Sequence, residues 1–314
     1  MPSPETLVNK GQVAEAATRV RHGDEHAPWR DGALRVAFVV LLLAFWQATH
    51  LLLVARVGGA GEAKLFPAPL EVGAQLWNGF ALTFLTGQYQ PPPGAAMPTN
   101  FWAALCQADY PSGALISLRR LIEGYFIALA LGFPLGFLLA RSSLAQKTLG
   151  WLALSLQAMP SIGWAPLAIL WFGAQSDAPV LFVTVAGSLF ATMIAVSESM
   201  RQVPPLLSQA GRTLGASGSR LYFSVLLPAA LPAILTGLKV GWSFAWRSLL
   251  AAELLVSAGG LGLLLQRDKN LKHAAGLFAT ILVIIAISLA VQALLFAPAE
   301  RRLRILWGLS RARA

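Results

Sequence analysis

One cysteine in 314 residues, Cys106, excludes an intrachain disulfide, and a lone thiol cannot hold a metal ion by itself. Histidine is almost as scarce. The two that border apolar segments, His50 and His273, have no cysteine or second histidine at ligand spacing, so no metal site is expected. Charge is short as well: 12% of residues are Asp, Glu, Lys or Arg, against roughly a quarter in soluble domains, which argues against a water-soluble class. No segment of the form Gly, four residues, Gly-Lys-Ser/Thr occurs, so the chain has no phosphate-binding loop, and no enzyme activity is expected of it. There is no tandem repeat. The first 32 residues hold no apolar run and read as a mobile polar tail, not as a cleavable signal peptide.

Apolar residues fill the space left by these absences. They make up 56% of the chain and give it a mean hydropathy of +0.62. A bilayer-spanning helix needs about 20 consecutive, mostly apolar residues. Six segments qualify, at 33–54, 121–140, 149–172, 178–200, 232–256 and 274–296, so the expected fold is all-α and polytopic. The third contains Pro160 and Pro166, which predicts a kinked or broken helix. Between the first and second spans, 55–112 is polar and Pro-rich and reads as extramembrane, with a short helix near 70–85. A core of five helices over 113–297 and a basic tail over 298–314 complete the layout.

The net charge of +10 raises the question of nucleic acid, but the cations are placed as a membrane topology places them. Fifteen fall in the N-terminal tail, the 141–147 turn, the 201–231 loop and the C-terminal tail, and seven on the other side, at Arg56, Lys64, Arg119, Arg120, Arg267, Lys269 and Lys272. Lys239 and Arg247 lie inside the fifth span. Lysine and arginine favour the cytoplasmic side, so both termini and the 201–231 loop are expected there.

That loop predicts two short helices joined at a glycine. Pro205 suits a first helical turn, and Leu206, Leu207, Ala210 and Leu214 share one face. Gly215 suits a positive-φ stop, and Ser217 suits the cap of a second helix carrying Leu221, Tyr222 and Val225. The elbow is expected to lie against the membrane with its polar side facing the cytoplasm.

The loop's spacing resembles the signature of binding-protein-dependent importer permeases: Glu-Ala-Ala, three residues, Gly, nine residues, Ile, one residue, Leu-Pro. Here it reads Gln209, Ala210, Gly211, then Gly215, Val225, Leu227 and Pro228. Two positions depart, with Gln209 for Glu and Gly211 for the second Ala. Loss of the carboxylate removes a charge-assisted hydrogen bond to a partner. Further segments are similar to permeases for nitrate, taurine and aliphatic sulfonates. They are Leu65 to Pro69, Met159 to Gly173, Gly237 to Lys239, Ala245 with Trp246, Ala251 to Glu253, and Gly259 to Gly262, while Tyr89 to Cys106 resembles an insertion.

The resemblance implies a type I ABC importer permease in a bacterial inner membrane, working by alternating access. It implies a second permease subunit, a homodimer in the simplest case, a cytoplasmic ATPase dimer that binds ATP and magnesium, an extracytoplasmic substrate-binding protein and surrounding lipid. It implies no nucleic acid and no cofactor on this chain, and a small oxyanion as substrate. Importers of neutral or cationic heterocycles are related alternatives. A carrier driven by an ion gradient is a different class, normally marked by internal repeats and paired broken helices. A non-transporting scaffold is a third.

Three readings of individual side chains stay double, and a fourth is single. Arg247, mid-span, where an unpaired cation costs at least about 2.5 kcal/mol, either attracts an anionic substrate in the pathway or pairs with Glu123 or Glu198. Glu253 is a gating group or a packing acceptor. Trp246, with Trp164, Trp171 and Trp242, lines the pathway or packs the bundle. Lys239 snorkels to the interface.

Overall fold

Backbone inside a bilayer has no water to bond, so long apolar segments close their hydrogen bonds within helices. The computed structural model describes residues 28–57, 66–80, 85, 94–256 and 259–306, and among them there is no strand. The readings placed on residues 1–27, Lys64, Leu65, Tyr89, Arg311 and Arg313 lie outside the described residues. The chain divides into two units, Met1–Leu70 and Glu71–Ala314.

In the first unit, α1 (Pro28–Val57) is one continuous apolar helix. Two of its aromatic polar groups are spent on backbone: Trp46 Nε1 donates to the Pro67 carbonyl at 3.0 Å and His50 Nδ1 to that of Phe66 at 2.7 Å.

From the unit boundary onward, α2 (Pro69–Gly79) and α3 (Phe101–Gln107) precede α4 (Asp109–Arg141). The bent pair α5 (Ser143–Ala158) and α6 (Ser161–Phe172) follows, then α7 (Ala178–Arg201) and the short α8 (Pro205–Thr213). Next come α9 (Gly218–Glu253) and α10 (Leu261–Asn270). The last helical stretch, α11, runs from Ala274–Val291 through a π turn to Ala297–Leu306. Among the described residues, five helices are long and apolar enough to cross a bilayer, and a sixth is added if α5 and α6 form one broken span.

The packing shows that they do. A seam of small residues, Gly124, Ala128, Gly132 and Gly136, runs at four-residue spacing along α4 and admits the backbone of α7, as small-residue stripes do between membrane helices. A Cβ at Gly124 would meet Thr184, one at Gly132 the Leu189 carbonyl, and one at Gly136 the Met193 carbonyl. Positions rise together, so α4 and α7 are parallel. Residues 142–177 must therefore cross from one end of the bundle to the other. Across the other seam, Gly187 faces Ser248, Thr192 faces Gly241 and Ala195 faces Gly237, so α7 and α9 are antiparallel.

The 98° bend between α5 and α6 has a local cause. Pro160 disfavours helical backbone in the residue before it, and Met159 sits at φ −68°, ψ 128°. Pro166, in contrast, sits in the first turn of the α-helical part of α6, where a missing N–H costs nothing, so only one of the two prolines breaks the span.

Two boundaries differ from expectation. The second span begins in a helix that starts at Asp109, twelve residues before 121. The fifth begins at Gly218, and the separate second elbow helix expected before Pro232 does not exist. Pro228 and Pro232 both lie inside α9, just after a π turn over Tyr222–Leu226 in which Leu227 N–H donates to the Tyr222 carbonyl.

Candidate functional site

The elbow between α7 and α9 is shaped by its glycines. Helix α8 starts at Pro205, with its missing N–H among groups that lack helical partners anyway. It ends where Gly215 takes φ +84°, and Ala216 N–H closes back onto the Gly211 carbonyl at 2.9 Å. Ser217 stands at the next N-cap with extended backbone, but its side chain makes no capping bond, contrary to the expected role; Gly218 at φ +52° makes the turn instead.

Gly211 explains one departure from the family signature. It is buried in the elbow, and a Cβ there would stand 2.8 Å from Leu221 Cδ1 and 3.2 Å from Val225 Cγ2. The bare backbone lets α8 close onto the start of α9 through the two side chains that follow it in the motif. From there the contacts run inward. Leu227 packs against Val196, Met200, Ala230 and Ile234, and Phe137 of α4 lies 5.5 Å from the Tyr222 ring and 5.4 Å from that of Phe223. Arg141 caps the Tyr222 ring at 5.4 Å. The elbow is thus packed against α4, α7 and α9 through rings and aliphatic side chains.

The outer surface of α8 carries apolar side chains that the protein itself does not cover. Leu206 is 72% and Leu214 88% exposed, and Gln209 and Ala210 are exposed as well, so the leucines do not lie on the protein. The elbow presents an apolar ridge.

At the opposite end of α9, sequence reasoning missed a residue. Arg120 was placed outside the second span; because α4 starts eleven residues earlier, it is inside the helix and only 2% exposed. Its Nη1 lies 3.1 Å from Oε1 of Glu253 and donates to the Gly259 carbonyl at 3.2 Å, and its Nε donates to Asp177 Oδ1 at 3.1 Å. Glu253 is fully buried and accepts also from Ser117 Oγ at 2.8 Å and from Gly262 N–H at 3.0 Å. Ser117 Oγ in turn accepts from Leu261 N–H at 2.9 Å. The cluster ties α4, the start of α7, the end of α9 and the start of α10 into one knot. Both oxygens of Glu253 are engaged, which is the arrangement of a structural ion pair. Asp177 and Arg119, also paired, carry the knot to the surface.

Arg247 is elsewhere. It is exposed on α9, donates from Nε to the Ser243 carbonyl at 3.2 Å, and has its guanidinium carbon 4.5 Å from the Phe244 ring centre. Neither carboxylate offered as its partner is there: Glu123 lies 3.8 Å from Arg119, and Glu198 is exposed on α7. Trp246 is nearly buried with its indole N–H unpartnered among the described residues. Trp242 packs edge-on against Tyr125, and Trp164 and Trp171 cluster with Phe182. Lys239 reaches Glu300 at 3.9 Å.

Residues 132–304 match a family model described as binding-protein-dependent transport system inner membrane component. A putative ABC transporter permease of Methanocaldococcus jannaschii is 34% identical over 57% of this chain and 67% of its own length. The taurine transport system permease TauC of Escherichia coli K12 is 29% identical, covering 60% of this chain and 70% of TauC. The putative aliphatic sulfonates transport permease SsuC of Bacillus subtilis is 26% identical over 85% and 84%. Among solved structures, the MetNI methionine ABC transporter in an inward-facing conformation superposes with a TM-score of 0.55 over 61% of this chain and 94% of that one, at 19% identity, which speaks to the fold alone.

Proposed function

This chain belongs to the binding-protein-dependent transport system inner membrane component family, and as the permease subunit of an ABC importer, we propose, it carries a small oxyanion. The observation that carries the substrate reading is Arg247. A guanidinium six residues before the end of spanning helix α9, exposed and without a carboxylate partner among the described residues, is open to water or an anion in front of it. The taurine and aliphatic sulfonates named for two relatives each carry a sulfonate oxyanion group, in taurine as part of a zwitterion.

In this reading the elbow of α8 and the start of α9, with Gln209, Ala210, Gly211, Gly215, Val225, Leu227 and Pro228, docks on a cytoplasmic ATPase, where ATP and magnesium bind. The Arg120 end faces the extracytoplasmic binding protein, and both termini are cytoplasmic, from the uneven placement of lysine and arginine. Two permease subunits rock about the pathway between them.

The test is uptake by the reconstituted complex of taurine, an alkanesulfonate and nitrate. Arg247→Leu is expected to lower uptake of the transported anion about tenfold or more, since charge-assisted hydrogen bonds contribute about 1.5 to 3 kcal/mol, with assembly intact. Arg247→Lys recovers part, because an ammonium cannot grip two oxygens as a guanidinium does. Unchanged anion uptake by assembled Arg247→Leu complexes would remove the oxyanion reading.

A further inference from the structure

The elbow carries charge of one sign only. Arg201, Arg212 and Arg220 are exposed along it, and no Asp or Glu occurs between Glu198 and Glu253. None of the three arginines has an ion-pair partner among the described residues. Position 209, where the family signature has Glu, is an exposed Gln. Between the arginines stand the exposed side chains of Leu206 and Leu214. An apolar ridge flanked by unpaired cations is the surface of an interface core with a charged rim, and rim charges select a partner of opposite potential.

We propose that the elbow fits an acidic cleft on the partner ATPase, with an apolar floor beneath Leu206 and Leu214 and carboxylates opposite Arg212 and Arg220. The proposal rests on the reading that the elbow docks on an ATPase, and it reverses the polarity that a glutamate at position 209 would call for. A glutamate there would meet a donor on the partner; Gln209 has no charge to repel a carboxylate, and the arginines beside it attract one. Rim pairs of this kind act mainly through the rate of encounter and its dependence on salt.

The experiment measures association of the permease, in neutral phosphatidylcholine nanodiscs, with the ATPase that assembles with it. Salt is raised from about 50 to about 500 mM, across which the screening length shrinks severalfold. Expected is a loss of affinity with salt in the wild type, about tenfold weaker binding at low salt for Arg212→Gln/Arg220→Gln, and a flatter salt dependence in that variant. In parallel, Ser208→Cys in a Cys106→Ala background is crosslinked to the ATPase. If the crosslink forms while affinity and salt dependence match the wild type in the double variant, the acidic cleft is overturned and docking stands. If an assembled, ATP-hydrolysing complex gives no crosslink, docking and the proposal fall together. If the double variant alters only the response to added phosphatidylglycerol, the arginines serve lipid headgroups and the proposal is overturned. Unchanged thermal stability of the double variant shows that it folds.

Discussion

Replacing Glu253 with Ala leaves Arg120 in a buried site without the carboxylate that faces it at 3.1 Å. Breaking one side of a buried ion pair costs about 3 to 5 kcal/mol, most of it the penalty of an uncompensated charge. Asp177 still touches Arg120 but is about a third exposed, so it offsets part of that charge in high dielectric, which places the loss near the lower bound, about 3 kcal/mol. Ser117 Oγ and Gly262 N–H lose their acceptor in the same step, each worth about 1 kcal/mol, and this opposes the offset. Removing both charges with apolar side chains of similar size, Arg120→Met/Glu253→Leu, is expected to recover most of the loss, because a dry pair replaced by packing is often neutral or better. Asp177→Asn, at the wet edge of the knot, is expected to cost less than about 1 kcal/mol. Thermal unfolding of the detergent-solubilised subunit, followed by size exclusion, ranks the four proteins. A Glu253→Ala protein as stable as the wild type, or a double variant no better than the single, would refute the argument that this is a buried, mutually compensating pair.

Two further outcomes follow from the backbone. Gly215→Val places a β-branched side chain at φ +84°, at a cost of about 1 to 2 kcal/mol or more, and is expected to abolish coupled transport while the subunit still inserts and assembles; uptake and ATPase assays on the purified complex check it. Gly211→Ala and Gly136→Ala make a contrast. At Gly211 the new methyl meets the flexible end of Leu221 and should cost under about 1 kcal/mol, whereas at Gly136 it meets the Met193 carbonyl at 2.5 Å and Val196 Cβ at 2.8 Å, forcing α4 from α7 at about 1 to 3 kcal/mol in thermal stability.

The spans were legible because a bilayer demands apolar length, and the break at Pro160 because proline constrains the residue before it. The positive φ of Gly215 was legible for the same local reason. What escaped was non-local. Pro228 and Pro232 read as a boundary, yet α9 runs through both, following a π turn that the sequence does not mark. Arg120 looked like a loop cation because its partners lie 57 and 133 residues away, and only the parallel packing of α4 with α7 brings Asp177 to it. The exposure of Leu206 and Leu214 was hidden too: helical spacing shows that side chains share a face but not what covers that face.

Uptake by the complete reconstituted complex, with substrate concentration and energy source controlled, tests the central claim most directly. The account predicts that accumulation of an oxyanion against its gradient requires ATP and the substrate-binding protein, and that collapsing proton and sodium gradients leaves it unchanged. Accumulation driven by an ion gradient in the absence of ATP would contradict it.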